Sequence, residues 1–391
     1  MNNQTIRTLD KINVGERYKL PDTVAYCKSC VISNQRPRIV FDEDGICNAC
    51  RFWERKHQII DWYKREDELE ALCQRYRRGD GSHDVLVPSS GGKDSGFVAH
   101  QLKYKYGMNP LTVTWAPHIY TDIGWKNFQA LIHSGLDNVL ATPNGDVHRR
   151  LTRLSFEEMG EPFQPFIYGQ IWFPVQVAVD RGIGLIMDGE NGEIEYGGDP
   201  SSEKPGFSVD DALRYWLSDM PLEHWHDFGF SKADLYLYSP PAEERVRQNP
   251  VERHFYSYYK KWMPQDHYYY VREHCGFEPN PDGRSEGTYS KYASLDDKID
   301  GFHYYLMLLK FGIARATSDA SHEIREGLIE RDEAVKLVRR YDTEFPKKYF
   351  QDFLEYCQID EAHFWRVCER WRNLNLWESV DGEWRLKQQV R

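Results

Sequence analysis

Six residues, Ser90-Gly91-Gly92-Lys93-Asp94-Ser95, constrain this chain more than any others. They follow the short apolar run Val85-Leu86-Val87-Pro88-Ser89 and precede Phe97, Val98, Leu102 and Tyr106 at helical spacing, so the segment reads as strand, phosphate loop and helix. Glycine lets the backbone approach an anion closely, the first N–H groups of the following helix point at it, and the helix dipole favours negative charge there. Lys93 adds a full positive charge, and the expected guest is a polyphosphate. A Walker loop needs glycine and Ser/Thr where Val87 and Asp94 stand, which excludes that motif.

The chain of 391 residues is long enough for one main domain plus appendages. Two Cys-x-x-Cys pairs, Cys27/Cys30 and Cys47/Cys50, match the ribbon type of zinc site, in which four thiolates close a tetrahedron and hold the fold. Disulfides and an iron–sulfur cluster are the alternatives for the same four residues. Arg38-Ile39-Val40-Phe41 reads as a strand between the pairs. Residues 51–78 read as a charged connecting helix with Phe52, Ile59, Ile60, Tyr63, Leu69, Leu72 and Cys73 as its buried stripe.

Strands at Val85–Val87, Leu111–Trp115, Asn138–Ala141 and Gly184–Met187 alternate with helices near residues 122–133, 146–159 and 170–181, which predicts a parallel sheet with right-handed crossovers. Ligands of such sheets bind beyond the carboxyl ends of the strands. That rule selects Trp115, the Pro165–Gln170 stretch as a loop carrying Tyr168, Gly169 and Gln170, and the segment from Asp188 through Gly189, Glu190, Glu195 and Tyr196 to Gly198. Acids here suit Mg²⁺, which prefers hard oxygen ligands. Expected boundaries are an arm and ribbon over 1–51, a connecting helix over 52–82, the nucleotide domain over 83–200, an insert over 201–250 and a helical region over 251–391. The tyrosine-rich 254–274 stretch is read as helix packing, Asp319 as a helix cap, and the polar cluster Lys310, Arg315, Thr317, His322 and Arg325 as a substrate surface.

The formal net charge of −11 is the wrong sign for a protein whose affinity comes from neutralising many phosphates. No run approaches the length of a membrane span and Met1-Asn2-Asn3-Gln4-Thr5 begins no signal peptide, so a cytoplasmic protein is expected, with neither nucleic acid nor membrane as partner.

The Ser90–Ser95 loop resembles the SGGKDS signature of the PP-loop ATP pyrophosphatases. Together with the paired cysteines, Gly189-Glu190-Asn191, Glu195-Tyr196-Gly197 and the Arg315–Ser321 stretch through Ile324-Arg325, the chain is similar to the N-acetyl sugar amidotransferases of the PseA/WbpG type. The resemblance implies an α/β fold, a parallel-sheet PP-loop domain flanked by a zinc ribbon and a helical C-terminal region. It implies adenylylation of the acetamido oxygen of a nucleotide-linked sugar and its replacement by ammonia, in bacterial surface-glycan synthesis. ATP, Mg²⁺ and structural Zn²⁺ are the implied cofactors. A separate glutaminase of the histidine-biosynthesis type, with a cyclase-like companion, is the implied ammonia source.

Residue roles follow from the charges involved. Pro88, Ser89, Ser90, Gly91, Gly92, Lys93, Asp94, Ser95, Trp115, Gly169, Gln170 and Gly189 would bind ATP. Lys93, Asp94, Glu190 and Glu195 would carry catalysis, the acids through Mg²⁺. Tyr168, Tyr196, Lys310, Arg315, Thr317, His322 and Arg325 would meet the sugar. The competing classes are a tRNA-thiolating PP-loop enzyme, which would need cysteines near the loop and a basic surface, and a nonenzymatic zinc module that senses nucleotide.

Overall fold

The computed structural model describes residues 10–215 and 220–391. The expectations for Met1–Thr5 and for positions 216–219 of the insert lie outside the described residues. A five-stranded parallel sheet organises the chain, with β1 (Val85–Pro88), β2 (Pro110–Trp115), β3 (Asp137–Ala141), β4 (Leu185–Asp188) and β5 (Glu252–Phe255) in the order β3-β2-β1-β4-β5. β1 and β2 are buried almost throughout, which is why their sequences are continuous apolar runs and not alternating ones. The chain runs outward from β1 through β2 to β3, then returns to the other side of β1 with β4. The reversal opens a crevice at the carboxyl ends of β1 and β4, the usual ligand position in an open α/β sheet.

Four strands lie where the sequence predicts them. The fifth, β5, comes from beyond the insert, so the sheet extends past the expected 83–200 limit; Glu-Arg-His-Phe carries no apolar alternation to announce it. Residues 165–170 are helical, part of Gln164–Arg181, and not a loop. Pro165 sits in the first turn, where its missing N–H costs nothing, so it starts the helix instead of interrupting it. The connecting segment is two helices, Asn48–Gln58 and Trp62–Tyr76, broken where Asp61 caps the second by accepting from Tyr63 N and Lys64 N. That break turns Ile59 and Tyr63 outward, 71% and 86% exposed, while Phe52, Leu69, Leu72 and Cys73 are buried as predicted.

In the ribbon, isolated bridges Tyr26–Ser33 and Phe41–Cys47 replace the expected Arg38–Phe41 strand. The described part of the N-terminal arm lies on the C-terminal helices, with Ile12 N donating to Arg370 O and Val14 buried against them. The C-terminal region is helical and ends in a hairpin, Trp377–Val380 with Glu383–Leu386. Tyr256, Tyr259 and Tyr268 are buried in packing clusters, as the tyrosine-rich stretch predicts. Asp319 stands inside the Arg315–Glu326 helix and not at its cap, accepting from Arg315 Nε and Thr288 Oγ1. Among the described residues no helix is long and apolar enough to cross a membrane.

Candidate active site

The loop between β1 and the Lys93–Tyr104 helix wraps tightly. Ser89 Oγ and Ser95 Oγ are hydrogen-bonded at 2.8 Å, and Gly92 is the helix N-cap, leaving the first-turn N–H groups directed at the crevice. Gly91 has φ +92°, and a Cβ there would stand 2.6 Å from Phe128 Cα, so only glycine fits. A cleft of about 390 Å³ opens on one side of this loop, lined by Pro88, Ser89, Ser90, Gly92, Asp94 and Ser95 and walled by Trp115, Phe166, Gln170, Gly189, Glu190 and Arg253. Trp115 is held by close approach: a Cβ on Gly169 would lie 2.1 Å from its ring, so this glycine packs against the indole from within the helix and acts on the cleft through it.

A second chamber of about 150 Å³ lies on the other side of the same loop. Gly91, Lys93 and Asp94 line it with Asn127, Tyr292, Asp296 and Arg315, so the loop is shared between the two spaces. Gly124 makes room for the roof, since a Cβ there would stand 2.4 Å from Asp296 Cα, and Thr121 N donates to Asp296 O at 3.1 Å.

Charge is concentrated at the loop. Lys93 Nζ lies 2.5 Å from Asp94 Oδ2, and His267 Nδ1 lies 3.1 Å from Asp94 Oδ1. Burial pushes the Asp94 carboxyl up, but Lys93 and His267 outweigh it and bring it down to about 2. Glu190 is pushed the other way, to about 7, by burial and then by the Asp94 charge, and its Oε2 has no hydrogen-bond partner among the described residues. An orphaned buried carboxylate oxygen beside an ionised aspartate is a donor set suited to a hard divalent cation.

Glu195 is not part of that set. It is buried and bonded to Lys56 Nζ at 2.8 and 2.9 Å, an ion pair closed further by Trp262 O and by the Trp53 ring 4.0 Å from the ammonium. Tyr196 and His322 stack on each other at 4.8 Å, His322 buried and Tyr196 half-buried. Of the expected sugar-facing residues, Arg315 lines the chamber. The structure does not bring the others to either space. Tyr168 is enclosed with its hydroxyl on Met220 O, Lys310 lies against Met159 O, Thr317 bonds Asp342, and Arg325 donates to Glu195 O beside the cysteines.

Sequence reading missed two site residues. His267 comes from the Pro264–His274 helix, stacked on Phe97 at 4.1 Å. Arg253, on β5, forks onto Asp188 at 2.5 and 2.8 Å in the cleft. Neither sits in a motif; the tyrosines around His267 and the unrecognised strand around Arg253 were the only signals.

Cys27, Cys30, Cys47 and Cys50 are buried, with sulfur atoms all within 4.8 Å of one another, the donor set of a metal site. The ribbon grips the acidic loop directly: Arg36 Nε donates to Tyr196 O at 2.8 Å and Asn48 Nδ2 to Gly198 O at 2.5 Å.

Residues 286–391, which contain Tyr292, Asp296 and Arg315, match the family described as LPS biosynthesis protein WbpG-like, C-terminal domain. A comparison with curated proteins finds no match. Among solved structures, the chain is similar to the NH3-dependent NAD synthetase from Campylobacter jejuni subsp. jejuni NCTC 11168 (15% identity, TM-score 0.29, 49% of this chain and 95% of that one). It is similar also to the U34-tRNA thiolase NcsA from Methanococcus maripaludis, described with its [4Fe-4S] cluster (16%, 0.27, 81% and 86%), and to the NMN synthetase from Francisella tularensis (11%, 0.28, 57% and 99%).

Proposed function

With residues 286–391 matching a WbpG-like C-terminal domain, we propose that the chain is an ATP-dependent amidotransferase that converts the acetamido group of a nucleotide-linked sugar to an acetamidino group in bacterial surface-glycan synthesis. The observation that carries the reading is the sharing of one phosphate loop between a nucleotide-sized cleft and a chamber roofed by that domain. ATP occupies the cleft with its adenine toward Trp115, and the acetamido group enters the chamber beside Arg315.

The amide oxygen attacks the α-phosphorus and the bond to the bridging α,β-oxygen breaks, releasing pyrophosphate. The nitrogen lone pair of ammonia then attacks the activated carbon. The C–O bond breaks, AMP leaves with the former amide oxygen, and the protons of ammonia divide between the amidinium product and the released phosphates. Lys93 and the loop N–H groups hold the charge that develops on the departing pyrophosphate. Asp94 and Glu190 would hold Mg²⁺, which when bound neutralises phosphate charge. Positioning and electrostatics do most of the work, since no covalent intermediate with the protein is required.

The metal at the cysteines is zinc in this reading. Sγ–Sγ distances of 3.9 Å for Cys27/Cys50 and 3.7 Å for Cys30/Cys47 match the edge of a tetrahedron with Zn–S near ~2.3 Å. A four-iron cluster, holding each thiolate on a different iron, separates its ligands further. A partner glutaminase with its cyclase-like companion supplies ammonia.

A thiolating enzyme that works through a cysteine would carry a reactive thiolate at the loop. Cys73 and Cys275, which bracket it in sequence, are buried, and burial pushes both thiols up to about 11. Exchange of labelled pyrophosphate into ATP tests the reading: it should depend on a nucleotide-linked acetamido sugar and ignore tRNA. Dependence on tRNA, or exchange with neither, overturns it.

A further inference from the structure

Resting on that reading, the acceptor is longer than the chamber that receives its acetamido group. The chamber measures about 150 Å³, below the ~300–1,000 Å³ of pockets that enclose a whole small-molecule ligand. A sugar ring suits it, and the nucleoside diphosphate must continue elsewhere. ATP takes the space on the phosphate-loop side. Another part of the chamber wall is Ser294-Leu295, and the same two residues line a further cleft of about 510 Å³. This outer cleft shares no lining residue with the nucleotide cleft, so the chamber stands between the two.

The outer cleft carries the donors a diphosphate needs. Lys298, Lys348 and Tyr349 all line it, and both ammonium groups stand over the Tyr349 ring, 5.5 and 5.1 Å from its centre. Two positive charges are thereby brought to the same wall. Lys298 Nζ lies 2.7 Å from Asp352 Oδ1 and Lys348 Nζ 2.6 Å from Asp282 Oδ2, and both pairs are open to solvent. Pairs of that kind hold their partners weakly, and an ammonium has N–H groups left for a second acceptor. Arg284, also in the lining, is committed to Glu344 at 2.6 and 2.9 Å and shapes the wall. Asp297 turns its carboxylate inward, Oδ2 accepting from His118 N and Oδ1 from Ile299 N. Asp122, Asp282 and Glu286 remain, so the cleft takes a diphosphate through directed lysine donors and not through net charge.

We infer that the outer cleft holds the nucleoside diphosphate of the acceptor, with Lys298 and Lys348 on its phosphates and the sugar passing Ser294-Leu295 into the chamber. Both lysines and Tyr349 belong to the 286–391 domain, which therefore reads the carrier while the phosphate loop serves ATP. Two separate spaces also let one chain bind two nucleotides at once without exchanging them.

The test measures pyrophosphate exchange by the full chain with ATP and diacetamido sugars linked to UDP, GDP or dTDP, then adds free UDP, GDP, dTDP and, as a monophosphate control, CMP. The free diphosphate of the accepted carrier should compete with the sugar nucleotide and not with ATP. Lys298→Gln and Lys348→Gln should each raise the KM for the acceptor by about tenfold or more. Exchange at saturating acceptor, and the KM for ATP, should stay within about twofold of the parent. Lys348 is 51% exposed, so its variant decides if Lys298→Gln fails to fold. An unchanged acceptor KM in Lys348→Gln, or free diphosphates that compete only with ATP, overturns the carrier site alone. Absence of acceptor-dependent exchange in the parent overturns the proposed function and the carrier site with it.

Discussion

His267 fixes the orientation of Asp94: its Nδ1 stands 3.1 Å from Asp94 Oδ1 while Lys93 takes the other oxygen at 2.5 Å. The imidazole cannot swing away, because Phe97 stacks on one face at 4.1 Å and Trp262 meets it edge-on at 4.2 Å. Asp94 is thus aimed by a residue more than a hundred and fifty positions downstream. Outer partners of this kind set the activity of the groups they hold, by about 10–100-fold at metal sites. His267→Ala should lower the exchange rate by about that factor and raise the Mg²⁺ concentration needed for half-maximal rate. His267→Asn, which keeps an N–H donor, should recover part of the loss. Equal loss in both variants with unchanged Mg²⁺ dependence would reduce His267 to a packing residue.

Lys93 is the one side-chain cation on the loop itself, 10% exposed, and lines the chamber. Its loss removes the charge that meets the leaving pyrophosphate, an effect of about 10²–10³ in rate for a donor aimed at developing charge. Lys93→Ala should therefore nearly abolish AMP formation, measured by chromatography of the nucleotides, with the fold intact by circular dichroism.

Gly169 sets the position of Trp115 without touching solvent space itself. Adding one methyl, 2.1 Å from the indole, forces the ring toward the cleft or the helix away from it. Gly169→Ala should destabilise by about 1–3 kcal/mol and weaken ATP binding in calorimetry more than pyrophosphate binding, since the disturbance lies at the base end of the cleft.

How much of this was legible follows from the kind of signal each part carries. The phosphate loop, β1, β2 and the four cysteines announce themselves because local chemistry dictates them: glycine where no Cβ fits, apolar runs where both faces are buried, thiols where a metal binds. The Glu190–Glu195 segment stands out in the sequence, but its two candidate acids, Glu190 and Glu195, could not be told apart there. Only packing shows that Lys56, from the ribbon's helix, neutralises Glu195 and leaves Glu190 with a free oxygen. The polar cluster of the Arg315–Glu326 helix misled for the same reason. Thr317 and Arg325 are polar because they satisfy buried partners, Asp342 and Glu195 O, while Arg315 lines the chamber.

Glu190 stores a cost that its ligand relieves. Burial, then Asp94, hold its carboxyl at about 7 against an ordinary 4.5. In the ATP-free protein the folded state keeps this proton after the unfolded chain has lost it. Its contribution to stability is therefore whole below pH ~4.5 and is lost as pH rises to ~7, a change of roughly 3 kcal/mol. Glu190→Gln carries no such charge. It should melt level with the parent near pH 4.5 and above it at pH 8, while losing Mg²⁺-dependent exchange. A melting difference that does not grow with pH would contradict the assignment.

The ribbon is coupled to the site through backbone, so metal removal should be felt at ATP. Two contacts cross from the ribbon to the acidic loop, at Tyr196 O from Arg36 and Gly198 O from Asn48, and a third reaches Glu195 O from Arg325, on the Arg315–Glu326 helix beside the cysteines. Cys47 caps the Asn48–Gln58 helix that delivers Lys56 to Glu195. Without a cation, four buried thiols lose their shared anchor and the helix start loosens. Lys56 then leaves Glu195 buried and unpaired, a penalty of about 3–5 kcal/mol when one partner of such a pair is withdrawn. Chelation at neutral pH should release one metal ion per chain by elemental analysis, lower the melting temperature and weaken ATP binding together, with Zn²⁺ restoring both. Because thiolates must be deprotonated to bind, the same release should occur on acidification without chelator. Release of the metal with ATP affinity untouched would mean that the ribbon only decorates the fold, and the three backbone contacts would then carry no load toward the acidic loop.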